Sequence, residues 1–182
     1  MTETLFFQLF LVFFAASGIA SDGAARKIPN WLVVPGAAAG ILLNAARGFP
    51  QFLDSSIGLL LAVGIFLIPF ALGWLGGGDI KFLGAIGAIL GARMLPRVLF
   101  YSALLGGLMA LISVIFYGRS ALKFKRIWLD LRLLISTHGS VVPQGTGMES
   151  SVARHTVPYG VAIGLGTLVA FFLDARGYWA GF

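Results

Sequence analysis

Uncharged runs recur along this chain, each close to the length that crosses a bilayer. Leu5–Ser21, Trp31–Ala46, Ile57–Leu75, Val98–Tyr117 and Thr156–Leu173 contain no Asp, Glu, Lys or Arg, and Phe82–Ala92 is a shorter sixth. At 58% hydrophobic and 11% charged residues the chain is too apolar for an ordinary water-soluble domain. The expected fold is an all-α polytopic membrane protein, one domain over residues 1–182. Its six transmembrane helices are expected over roughly 5–21, 31–46, 55–75, 79–95, 97–117 and 156–173. The opening "MTETLFF" carries Glu3 and no basic n-region, so a cleaved signal peptide is not expected. The absence of cysteine rules out disulfides, thiolate metal sites and cysteine nucleophiles.

With six spans the connections alternate sides. Those after the first, third and fifth spans hold Arg26, Lys27, Lys81, Arg119, Lys123, Lys125, Arg126, Arg132 and Arg154, nine of the 13 basic residues. The opposite side holds Arg47, Arg93, Arg97 and Arg176. Basic residues favour the cytoplasm. Both termini are therefore expected outside, and Asp22 and Asp79 share the cytoplasmic face. In the long connection, Ala121–Ile135 mixes Lys and Arg with large apolar residues, which suits an amphipathic helix lying in the headgroup layer. The Gly/Ser/Thr-rich part after it, 136–155, reads as a loop.

Small residues recur four apart at Gly36/Gly40, Gly87/Gly91 and Gly160/Gly164, the spacing that lets helix backbones approach closely in lipid. Those faces suit internal packing or a homo-oligomer equally. The fourth segment is the richest in glycine and is expected in the middle of the bundle.

Two acids stand apart from the rest. Asp22 closes the first span in "GIASDGAARKIPNW", and Asp79 opens the fourth in "LGGGDIKF". A carboxylate at membrane depth is costly and is by default a candidate functional group. Two carboxylates sharing a site cannot both ionise easily, so the pair holds one proton between them. The ionised member can then act as general base on a water while the protonated one hydrogen-bonds a scissile carbonyl. A shared proton implies a bell-shaped pH dependence of activity. The structural alternative is plain: Asp79 caps the helix beside it, and Asp22 is an interfacial acid next to Arg26 and Lys27. Gly76, Gly77 and Gly78 leave room for another backbone to pass close to Asp79. Lys81 either snorkels to the surface or tunes the pair.

Other chemistries fit poorly. "GGGDIK" lacks the second glycine and the Lys-Ser/Thr of a phosphate loop. The two histidines, His138 and His155, lie in or beside the long connection, and with no cysteine they make a poor zinc set. No metal, cofactor or nucleic-acid partner is expected. A transporter using the two acids as an ion site should show broken helices in both halves, and only one glycine-rich break is present. A non-catalytic assembly protein of a pilus or secretion machine would tolerate Asp→Asn changes.

Beyond this reading, three segments carry a resemblance. "GGGDIKFLGAIGAILG" (Gly76–Gly91) resembles the Gly-x-Gly-Asp motif of type IV prepilin peptidases, with its Lys two residues on. "SDGAARKIPNW" (Ser21–Trp31) resembles that family's first aspartate motif, and "VPYGVAIGLG" (Val157–Gly166) its opening of the last span. The matches come in family order over nearly the whole chain. The resemblance implies an aspartic endopeptidase of the bacterial inner membrane that cuts the basic leader from prepilins and pseudopilins at the cytoplasmic face, without a cofactor. Asp22 and Asp79 match the catalytic pair, and Gly76 and Gly78 the motif glycines. Arg26, Lys27, Ile28, Pro29, Asn30, Lys81, Pro158 and Gly160 fall at supporting positions. Large members of the family add a zinc-binding, cysteine-paired region and methylate the new N-terminus. Here Asp22 follows directly on the first span and cysteine is absent, so methylation is not implied. The compact plan is similar to the TadV/CpaA group that serves tight-adherence (Flp) pili. A presenilin-like protease, by contrast, carries its first aspartate in a Tyr-Asp context deep in a span.

Overall fold

The computed structural model describes residues 2–72, 75–117 and 159–174. The expected interfacial helix at 121–135, the loop 136–155 and Pro158 lie outside the described residues. Among the described residues six helices follow one another: α1 (Thr2–Ala25), α2 (Asn30–Ala46), α3 (Phe49–Ala71), α4 (Gly77–Leu90), α5 (Leu95–Tyr117) and α6 (Tyr159–Asp174). Segments in α1, α3 and α5 are long and apolar enough to cross a membrane: Leu5–Ala25, Phe49–Ala71 and Leu95–Ser113. Two shorter apolar helices, Asn30–Ala46 and Tyr159–Leu173, accompany them. Large apolar side chains stay exposed on the outside, Phe13, Leu42, Leu60, Ile68 and Leu104 among them. On a protein surrounded by water so extensive an apolar surface is a liability; facing lipid it is the favourable arrangement. The chain is a helical membrane protein.

At the centre lies α4, with every residue from Ile80 to Ile89 except the exposed Lys81 buried. At 14 residues it is roughly 21 Å long, shorter than a hydrocarbon core of about 30 Å. The helices it packs against are all longer, α3 at 23 residues, α2 at 17 and α6 at 16. It packs most extensively against α3 and α2 and more lightly against α6, while α6 also packs on α5 and α1. Two sets of helices, α2–α4 and α1, α5 and α6, thus meet along a seam. Phe82 of α4 reaches across it, its ring 5.4 Å from that of Phe14 on α1 and pressed onto Gly18.

The recurring glycines are used inside the bundle. At Gly40 an added Cβ would stand 2.9 Å from the Ile89 nitrogen on α4, and Gly58 and Gly87 let α3 and α4 cross backbone to backbone. Gly164 sits against Ile19 of α1.

The fourth helix ends at Leu90, before the end of the uncharged run at Ala92 and of the expected span at residue 95. Gly91 adopts φ 83°, where an L side chain is strained. Two buried side chains from neighbouring helices then take up the last carbonyls of α4, which have no partner within their own helix. Asn44 Nδ2 donates to the carbonyls of Ala88 (3.2 Å), Ile89 (2.9 Å) and Gly40 (3.0 Å), and Ser55 Oγ donates to Ala88. An amide nitrogen has two hydrogens, so the three bonds share them. Replacing Asn44 by Leu should leave buried carbonyls unpaired and destabilise the fold by about 1–3 kcal/mol. Thermal unfolding in detergent checks this; an unchanged midpoint would mean that the cap contributes nothing.

Candidate active site

The site forms where the N-termini of α2, α4 and α6 meet the C-terminal end of α1. Asp22 lies in the last turn of α1 and is 4% exposed. Its side chain crosses to α6, where Oδ2 accepts from the Val161 backbone N–H at 3.1 Å. That amide belongs to the first turn of α6, one of the donors a helix leaves without an internal partner. Asp79 is the third residue of α4, half-buried, and its Oδ2 accepts from the Gly76 N–H at 3.3 Å. Each carboxylate therefore sits at a helix N-terminus, where amides and the helix dipole favour negative charge. Both lie around Ile28, which contacts Gly78 beside Asp79 and Gly160 beside the Asp22 carboxylate.

Asp79 caps its own helix, as the structural alternative requires. The cap does not account for Asp22, which comes from another helix and reaches the same end of the bundle. Capping and chemistry are compatible here, because the Gly76 bond engages one carboxylate oxygen and leaves the other available.

The three motif glycines differ. A Cβ on Gly78 would stand 3.4 Å from the Ile28 nitrogen and 3.5 Å from its carbonyl oxygen. The backbone that passes close here is the chain's own, in the segment joining α1 to α2. At Gly77 the neighbour is the Phe70 ring, 3.5 Å away, and at Gly76 it is the Asp79 carboxylate, 3.3 Å away. Gly76 is exposed, whereas Gly77 and Gly78 are partly buried.

The connecting segment is tightly held. Arg26 takes the left-handed conformation, φ 52°, unusual for a residue with a side chain. It closes α1 by donating its N–H to the Asp22 carbonyl at 2.8 Å, the bond of an αL helix end. Ser21 Oγ donates to the Lys27 carbonyl at 2.8 Å. Pro29 is the N-cap of α2 with extended backbone, and its carbonyl accepts from Leu32 at 3.1 Å. The side chains of Arg26 and Lys27 are exposed and Ile28 is buried. Lys81 is exposed, its Nζ donating to Asn30 Oδ1 at 3.0 Å, which ties the first turn of α4 to that of α2.

On α6, Gly160 lies against the aspartate. A Cβ there would be 2.8 Å from Asp22 Cγ and 2.7 Å from Ile28 Cδ1. All the expected site residues other than Pro158 thus gather around one end of the seam. Val161 and Ser21 contribute contacts that the sequence did not single out. A side chain pointing at a helix N-terminus leaves no composition signal, because the donor is a backbone amide.

Residues 9–111 of the chain match the type IV leader peptidase family, a span that includes both aspartates. The chain belongs to this family. A prepilin leader peptidase/N-methyltransferase of Aeromonas hydrophila is 35% identical over 94 residues, which cover 46% of this chain and 31% of that protein. The chain thus spans about a third of the length of the curated relative it matches. No solved structure gives a significant match. The family match stops short of α6, so the Val161 and Gly160 contacts to Asp22 extend the site beyond the matched segment.

Proposed function

We propose that this chain is a membrane aspartic endopeptidase that removes the basic leader of prepilins, with Asp22 and Asp79 as its catalytic pair. The observation that carries the reading is the placement of two carboxylates from different helices at the same end of the bundle, each on a helix N-terminus, in a chain of the type IV leader peptidase family. The chain forms a single domain of six spans in the bacterial inner membrane, with both termini outside and the aspartates facing the cytoplasm, where the excess of basic loop residues lies. Asp22 directly after the first uncharged run and a sequence without cysteine favour prepilins of tight-adherence (Flp) pili as substrates.

In the reaction the substrate's apolar segment lies in the bilayer and its leader in the cytoplasm. The bond at the junction has to leave helical geometry before attack, because a helix keeps its carbonyls bonded. The exposed edge at Gly76 accepts that extended stretch beside Asp79. One carboxylate takes a proton from water as its oxygen attacks the carbonyl carbon, and the other, protonated, donates to the carbonyl oxygen. The tetrahedral intermediate collapses with cleavage of the C–N bond, and the amine leaves carrying a proton returned by the pair. Lys81, held by Asn30, keeps a positive charge near this edge, while Arg26, Lys27, Pro29 and Pro158 serve as supporting residues.

The test is leader removal in membranes co-expressing the chain with a Flp prepilin, read as a gel shift and as the mass of the released leader. Cleavage at the junction of leader and apolar segment is the expected result. An uncut precursor with the chain present and folded would sink the proposal.

A further inference from the structure

We infer that Ile28 is a positioning residue, a wedge between the N-termini of α4 and α6 that fixes the separation of Asp22 and Asp79. The inference rests on the aspartic-pair reading for its consequence and on contacts alone for its geometry. Ile28 is 7% exposed. Its backbone lies against Gly78, the residue before Asp79, with the nitrogen 3.4 Å from where a Cβ on that glycine would stand. Its side-chain tip lies against Gly160, with Cδ1 2.7 Å from the corresponding point there. Gly160 is also the residue that abuts the Asp22 carboxylate. One residue thus touches both walls that hold the pair.

The wedge is fixed on each side. The Arg26 turn and the Ser21–Lys27 bond tie it to α1, which carries Asp22. Pro29, whose ring restricts φ, ties it to α2, and the Asn30–Lys81 bond links that helix to α4. The Gly78 contact is an ordinary one made by the Ile28 backbone and the Gly160 contact is close and made by the side-chain tip, so removal of side-chain atoms from Ile28 lets the α6 end relax toward the α4 end.

Because the chain has no native cysteine, the separation can be measured without reference to activity. Asp22→Cys and Asp79→Cys are introduced together in the full chain in membranes and joined with bifunctional thiol reagents of graded length. The same is done with Ile28→Val, which removes only the Cδ1 contact to Gly160, and with Ile28→Ala. Val33→Ala, a truncation of another buried apolar residue, controls for general loosening. The expected result is a preferred spacer that shortens or broadens with Ile28→Val and further with Ile28→Ala, but not with Val33→Ala. In the native-aspartate background Ile28→Val should lower kcat for leader cleavage by about tenfold with little change in KM.

An unchanged spacer preference in both Ile28 variants overturns the inference, whatever happens to cleavage. A preference that moves equally in Val33→Ala overturns it as well. A preference that moves only in the Ile28 variants, in a chain that cleaves no leader, supports the wedge and overturns the peptidase reading alone.

Discussion

Asp22→Asn and Asp79→Asn should each lower leader cleavage by at least about a hundredfold, since a positioned general acid or base contributes roughly 10²–10⁴. Asparagine is chosen because it can retain what the structure shows each aspartate doing for the fold. Its carbonyl oxygen can still accept from the Val161 N–H at position 22 or the Gly76 N–H at position 79. What it cannot do is exchange a proton with water or substrate. Protein level and unfolding temperature should therefore stay near wild type while product disappears. The double variant should be little worse than either single one, because residues acting as a unit lose their effect once. The measurement is the initial rate of leader release in membranes, with the amount of chain quantified in parallel. Near-wild-type processing by both single variants would reduce the aspartates to caps and favour a non-catalytic assembly role.

How much of this was legible beforehand depends on the physics of each element. The apolar runs mark the six helices of the described residues, because lipid leaves the backbone few alternatives to helix. Their ends were less legible. The end of α4 at Leu90 depends on the left-handed Gly91 and on Asn44 and Ser55 donating from other helices; none of these gives a periodic signal. The aspartates stood out because acids are scarce in so apolar a chain. Their neighbourhood was harder to foresee, since it is built from backbone: the Val161 amide, the Ile28 peptide against Gly78, the αL turn at Arg26. The small-residue pairs left internal and intermolecular packing equally open. The described contacts assign Gly40 to α2–α4 packing and Gly164 to α1–α6 packing, which required knowing which helices are neighbours.

Gly160→Ala should reduce leader cleavage by roughly 10–100-fold, because a displacement near 1 Å of a catalytic group can cost about a hundredfold. The added methyl would lie 2.7 Å from Ile28 Cδ1 and 2.8 Å from both Cγ and Oδ2 of Asp22. Carbon atoms in proteins do not approach that closely, so something must move. The atoms in the way are side-chain ends rather than backbone, which makes a local shift cheaper than a rearrangement of helices. The Asp22 carboxylate is the group that yields, and with it goes the 3.1 Å bond to Val161. The fold should survive with a modest drop in unfolding temperature, while the alignment of the pair is lost. Two nearby glycines separate this effect from general damage. At Gly23, next to Asp22, an added Cβ would meet only Val161 Cγ2 at 3.8 Å, an ordinary contact, so Gly23→Ala should cleave normally. At Gly164, one turn further along α6, the Cβ would press on Ile19 and approach the Ala15 carbonyl at 3.2 Å. Gly164→Ala should therefore lose stability through the α1–α6 packing without a specific loss per folded molecule. Rates normalised to folded protein decide the matter. If Gly160→Ala matches Gly23→Ala after that normalisation, the α6 N-terminus is not what holds Asp22 in its working position.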